Sequence, residues 1–174
     1  MPRPPAASQN AIVDADACAR LGSELTRRFT AADLPRLSEA GAGAGFEIEA
    51  SLGFSLLEGQ PAIEGSLKGT VMLTCQRCLE AVSIELDEPF RVIVVAEERA
   101  DEPAGFEPVI AEAQRLDLRW LVEEQALLAL PLVARHESEQ QCAVGAGASA
   151  GSEEESEAPK QQPFRNLRDM LNRR

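Results

Sequence analysis

The chain has 174 residues, a formal net charge of -12, 44% hydrophobic residues and only 4% aromatic ones, with no tyrosine. That length suits one domain with its own core plus tails and is short for two; the sparse aromatics leave the core to Leu, Val, Ile and Ala. The charge excludes a surface that is basic throughout. Sequence-blind RNA binding draws on Lys and Arg that neutralise phosphates, so contact with RNA needs a local basic patch or a partner protein.

Residues 1–10 read as a flexible arm, with Arg3 and three prolines but no apolar run of the secretory kind. Asp14 is placed to cap a helix over Ala15 to Phe29, where Ala17, Leu21, Leu25 and Phe29 recur at helical spacing. Cys18 lies within it on no ligand spacing and reads as a small buried side chain. Ala31 to Ala40 is a weaker helix broken by Pro35, and Gly41 to Gly45 is a break.

From Phe46 the period changes to two. Phe46, Ile48, Ala50, Leu52, Phe54 and Leu56 alternate with small or polar residues, as in a half-buried strand of an antiparallel sheet. Glu58 to Pro61 makes a turn. A second strand then places Ile63, Gly65, Leu67, Gly69, Val71, Leu73 and Cys75 on one parity, and its two glycines suggest a bulge or bend. Val82, Ile84 and Leu86 begin a third strand that continues past Pro89 to Val95. Glu97 to Pro108 reads as an acidic loop. Asp117 caps a helix from Leu118 to Leu130, stopped by Pro131. Its apolar face comprises Leu118, Leu121, Val122, Leu128 and Ala129, widened by Trp120, Leu127 and Leu130, and Glu123 and Glu124 mark its wet side.

The longest apolar stretch, Ala126 to Ala134, is interrupted by Pro131 and is far short of the roughly 20 residues that span a bilayer. The expectation is a soluble cytoplasmic protein. In that reducing compartment, cysteines read as metal ligands or catalytic thiols before they read as disulfides. Cys75 and Cys78 fall in a tight knuckle between two strands, where both sulfurs can turn toward one ion. A closed structural zinc site needs four ligands. The remaining candidates are His136, the only histidine, and Cys142. The proposed donor set is therefore Cys75, Cys78, His136 and Cys142, around Zn²⁺. The bland alternative for His136 is an exposed surface histidine beside Glu137. A redox pair of the thioredoxin type needs a helix N-terminus after the first cysteine to lower its thiol pKa, and here a strand follows.

Residues 143–162 are Gly, Ala, Ser and Glu for the most part and read as a disordered linker. Residues 163–174 restore a short basic amphipathic pattern, with Phe164, Leu167, Met170 and Leu171 on one stripe and Arg165, Arg168, Arg173 and Arg174 supplying charge. Such a segment is marginal alone. It orders against its own core, or against a partner groove or phosphates. The candidate RNA- or partner-contacting residues are Arg77, Phe164, Arg165, Leu167, Arg168, Arg173 and Arg174. Residues 11–142 form the core: an α+β fold with an antiparallel meander, a covering helix and a zinc knuckle.

Four stretches in this order are characteristic together. They are Leu73-Thr74-Cys75-Gln76-Arg77-Cys78, then Asp117-Leu118 running into Val122 to Pro131, then His136 with Cys142, then Pro163-Phe164 with Leu167. From about residue 46 to the end the chain resembles the YceD family, known as large ribosomal RNA subunit accumulation proteins. The resemblance implies a bacterial ribosome-assembly factor that supports accumulation and processing of large-subunit rRNA, by binding precursor rRNA or a ribosomal protein. Some relatives carry more cysteines downstream, where this chain has His136 and Cys142.

An enzyme is not expected: one histidine, no tyrosine and no Gly-rich phosphate loop leave a hydrolase or nucleotide-dependent catalyst little to work with. The other function class is a thiol-based redox or metal-responsive switch, in which Cys75 and Cys78 oxidise and release the ion.

Overall fold

The computed structural model describes residues 11–43, 45–97, 105–138 and 141–142. The arm at 1–10, the linker at 143–162 and the segment at 163–174, with Phe164, Arg165, Leu167, Arg168, Arg173 and Arg174, lie outside the described residues.

Strand β1 (Ile12–Val13) leads into helix α1 (Ala15–Leu21), which Asp14 caps through its side chain onto the Ala17 N–H. The expected continuation to Phe29 does not form. Gly22 takes the left-handed conformation (φ 59°), its N–H and that of Ser23 satisfy the last carbonyls, and the chain turns into β2 (Glu24–Thr30). Leu25 and Phe29 satisfy a period of two as well as one of four, and pairing with the next strand decides for two. Cys18 is half-buried against the core.

The weak helix expected over Ala31 to Ala40 shrinks to α2 (Pro35–Leu37) and an irregular turn, Ser38–Ala42, in which Gly41 sits at φ 109°. Then come β3 (Glu47–Leu57), β4 (Gln60–Thr74) and β5 (Ala81–Val95). Glu58 and Gly59 join β3 to β4 with positive φ at both positions, as a two-residue loop matching the strand twist requires. The expected acidic loop ends early. Glu107–Ile110 is β6, an edge strand parallel to β5, and Pro108 is tolerated there because an edge strand has an unpaired side. A single helical turn, Ala113–Arg115, and β7 (Leu116–Asp117), paired with β1, precede α3 (Leu118–Ala129).

The main sheet runs β2-β3-β4-β5-β6, antiparallel except for its last pair. Alternation sets one face inward. Ile48, Ala50, Leu52 and Phe54 join Ile63, Leu67, Val71 and Leu73 under α1 and α3, in one cluster of buried side chains. Each large side chain so removed from water contributes about 1.5–3 kcal/mol. The glycines of β4 make no bulge, since the register is one-for-one from Gln60 to Gly69 against β3 and from Ala62 to Thr74 against β5. Gly65 instead leaves room for the Phe90 ring, and Gly69 for the Glu47 carbonyl.

Helix α3 departs from its expected faces. Leu128 is exposed, and Glu123, expected in water, is buried. Its Oε1 accepts from the Arg36 N–H (2.6 Å) and the Leu37 N–H (3.3 Å), closing the open N-terminus of α2, which has no side-chain cap of its own. Glu123→Ala is expected to cost about 1–3 kcal/mol, because two amides lose their acceptor in a site closed to water. Urea unfolding checks this, with Glu123→Gln retaining more stability than the alanine variant. The neighbouring Arg36–Glu124 pair is half-exposed and adds little.

Candidate metal centre

Cys75 continues the inward parity of β4 one residue beyond its end, which buries its sulfur completely. The next five residues form the knuckle. The Cys75 N–H donates to Glu80 O (2.8 Å) and the Leu79 N–H to Cys75 O (2.9 Å), with Leu79 at φ 63° reversing the chain into β5. A left-handed leucine costs energy, and nothing in the composition signals it. The strand expected after the pair is β5, so no helix begins directly after these thiols.

The downstream donors arrive from α3. Its last turn gives way to extended backbone at Leu130 before Pro131, and the exit runs back to the knuckle, where the Gln76 N–H donates to Ala134 O (2.8 Å). That bond delivers His136. Its Nε2 lies 3.2 Å from the Ala81 carbonyl, which can only accept, so Nε2 carries the proton and Nδ1 presents its lone pair. Nδ1 stands 3.5 Å from Cys78 Sγ and 3.6 Å from Cys142 Sγ.

The ligand atoms of Cys75, Cys78, His136 and Cys142 all lie within 4.8 Å of one another. A tetrahedron with Zn–S of about 2.3 Å and Zn–N of about 2.0–2.1 Å has S···N edges of about 3.6 Å and S···S edges of about 3.8 Å. The two S···N distances match, and the widest separation closes with about 1 Å of movement. A carbonyl orienting the far ring nitrogen is the support that histidine ligands to metals use. The donor set fits a structural tetrahedral ion.

The electrostatics agree. Burial opposes ionising Cys75, but the backbone N–H groups of Cys78, Arg77 and His136 favour its thiolate, and its pKa is lowered to about 5. For Cys78 the Glu80 N–H favours the thiolate, yet burial and the sulfurs of Cys142 and Cys75 prevail and push it up. One anion is prepared, and its neighbours resist ionising beside it until a cation joins them. A low thiol pKa serves redox and metal chemistry alike. A third and a fourth donor converging on the same point are what a closed metal site requires beyond a low thiol pKa.

Arg77, expected to meet RNA or a partner, is exposed, and its guanidinium reaches Ser138 and Cys142. Nε donates to Cys142 Sγ (3.0 Å) and Nη2 to Ser138 O (2.8 Å).

A family model described as "Large ribosomal RNA subunit accumulation protein YceD" matches residues 63–171. The chain belongs to the YceD family. The matched span takes in all four donors. A curated protein of the same description from Haemophilus influenzae is 33% identical over 147 residues, covering 82% of this chain and 84% of its own length. No solved structure matches. The family's description names accumulation of large-subunit ribosomal RNA.

Proposed function

We propose that this protein is a non-catalytic ribosome-assembly factor of the cytoplasm that supports accumulation of large-subunit rRNA, acting by binding precursor rRNA or a ribosomal protein. Membership of the YceD family carries the reading. On this view Zn²⁺ is the resident ion at Cys75, Cys78, His136 and Cys142. It ties the β4–β5 knuckle to the exit of α3, and so holds in place an exposed rim that includes Arg77 and Leu79. The net charge of -12 makes general affinity for RNA a poor explanation. The basic segment at 163–174 supplies the local positive charge, through Arg165, Arg168, Arg173 and Arg174, beside the apolar residues Phe164 and Leu167.

Deleting residues 163–174 is expected to lower co-sedimentation with large-subunit precursor particles at least several-fold, while circular dichroism of the core stays unchanged. Equal co-sedimentation of the truncated and full-length proteins would remove the segment from the reading.

A further inference from the structure

We propose that Arg77 is a positioning residue of the metal centre, a clamp that holds the Cys142 sulfur among the other three donors and sets how fast the ion leaves. The inference rests on the reading of the four side chains as a zinc site. Three of those donors are fixed without Arg77's side chain. Cys75 and Cys78 belong to the hydrogen-bonded knuckle, and His136 is held by the Ala81 carbonyl at its far nitrogen and by the Gln76–Ala134 bond two residues upstream. For Cys142, among the described residues, the sulfur meets the Arg77 Nε at 3.0 Å and the His136 Nδ1 at 3.6 Å.

The guanidinium reaches two positions four residues apart, with Nε on the Cys142 sulfur and Nη2 on the Ser138 carbonyl. A rigid fork makes both bonds at once, whereas a lysine ammonium offers a single flexible point of charge. Charge balance points the same way. Three thiolates around a divalent cation leave a net charge of minus one, and Arg77 places its positive charge against the sulfur at the exposed side of the site. Its position between the paired thiols means that one short stretch of sequence supplies two ligands and the clamp on a third.

Purified full-length protein, R77Q and R77K are each loaded with Co²⁺ for spectroscopy and with Zn²⁺ for release to a chromophoric chelator. Wild type is expected to take up one equivalent. R77Q should also take up one equivalent and keep the intense visible bands of tetrahedral Co²⁺. Its sulfur-to-cobalt charge-transfer band should move to longer wavelength, because a sulfur stripped of its hydrogen-bond donor gives up electron density more readily. Zinc release from R77Q should be about tenfold faster, at the lower end of what loss of a ligand's supporting partner costs, with R77K in between. A general loosening around Cys142 would speed release without moving that band, and would overturn the clamp. Metal uptake by wild type beside an R77Q protein with unchanged band and release rate overturns the clamp and leaves the zinc site standing. Failure of wild type to bind metal overturns both.

Discussion

Stripping the ion with a strong chelator is expected to lower the thermal midpoint of the core by ten degrees or more. Three thiols and an imidazole from two distant parts of the chain converge within 4.8 Å. In the unfolded chain Cys78 and His136 are 58 positions apart, so the assembled site belongs to the folded state alone. Binding free energy is then folding free energy. A ligand present at a thousand times its dissociation constant adds about 4 kcal/mol, and each kcal/mol moves the midpoint of a domain of this size by roughly 3–4 °C. Cys78→Ser and His136→Gln should each melt near the chelated wild type even in excess zinc, and chelator should change neither of them further. Coincident melts of wild type with and without chelator, after metal analysis has shown that the chelator removed the ion, would sink the structural role. Without metal the protein should still fold, because the cluster of buried side chains runs the length of the sheet and under two helices, well beyond the knuckle. The loss should therefore appear as a lower midpoint and greater protease sensitivity after Leu130, with the strand signal retained.

The parts of this molecule legible in its sequence are those where a single physical signal acted alone. β3, β4 and β5 bury one face, and that face appears as strict alternation from Phe46 onward, carried without a slip to Cys75. The convergence of Cys75, Cys78, His136 and Cys142 was legible because a closed site would need four partners, and the chain holds only one histidine and few cysteines to choose from. Competing signals hid the rest. Leu25 and Phe29 fit a helix and a strand equally, and only the neighbouring strand decides; Leu21 stays in α1 and is exposed. Pro108 reads as a loop until β5 offers it an edge. Glu123 reads as solvated until α2 is found to end its backbone against it. The grip of Arg77 on Cys142 spans 65 positions and leaves no pattern in either segment.

Gly69→Ala is expected to cost about 2 kcal/mol. A Cβ at Gly69 would stand 2.7 Å from the Glu47 carbonyl oxygen and 3.2–3.3 Å from Ile48 atoms on the paired strand. Backbone cannot swing aside as a side chain can, so β3 and β4 must part where Ile48 faces Gly69, and overpacking of this kind costs about 1–3 kcal/mol. The lower entropy of unfolded alanine relative to glycine returns about 0.4–1 kcal/mol at most. Gly65→Ala is the control. Its methyl would meet the ring of Phe90, a half-buried side chain with room to rotate, so a loss nearer 1 kcal/mol is expected, recovered in part when Phe90 is also made alanine. Urea titrations of the three variants measure this, and a Gly69→Ala loss no greater than that of Gly65→Ala would show that the strands part without cost. Gly69 and Cys75 are six residues apart along an extended strand, about 20 Å, beyond the roughly 7–10 Å over which changes couple. Saturating zinc should therefore add the same increment to Gly69→Ala as to wild type. A smaller increment in the variant would mean that register slips along β4, because a shift of one position turns Cys75 away from the face that the other three donors share.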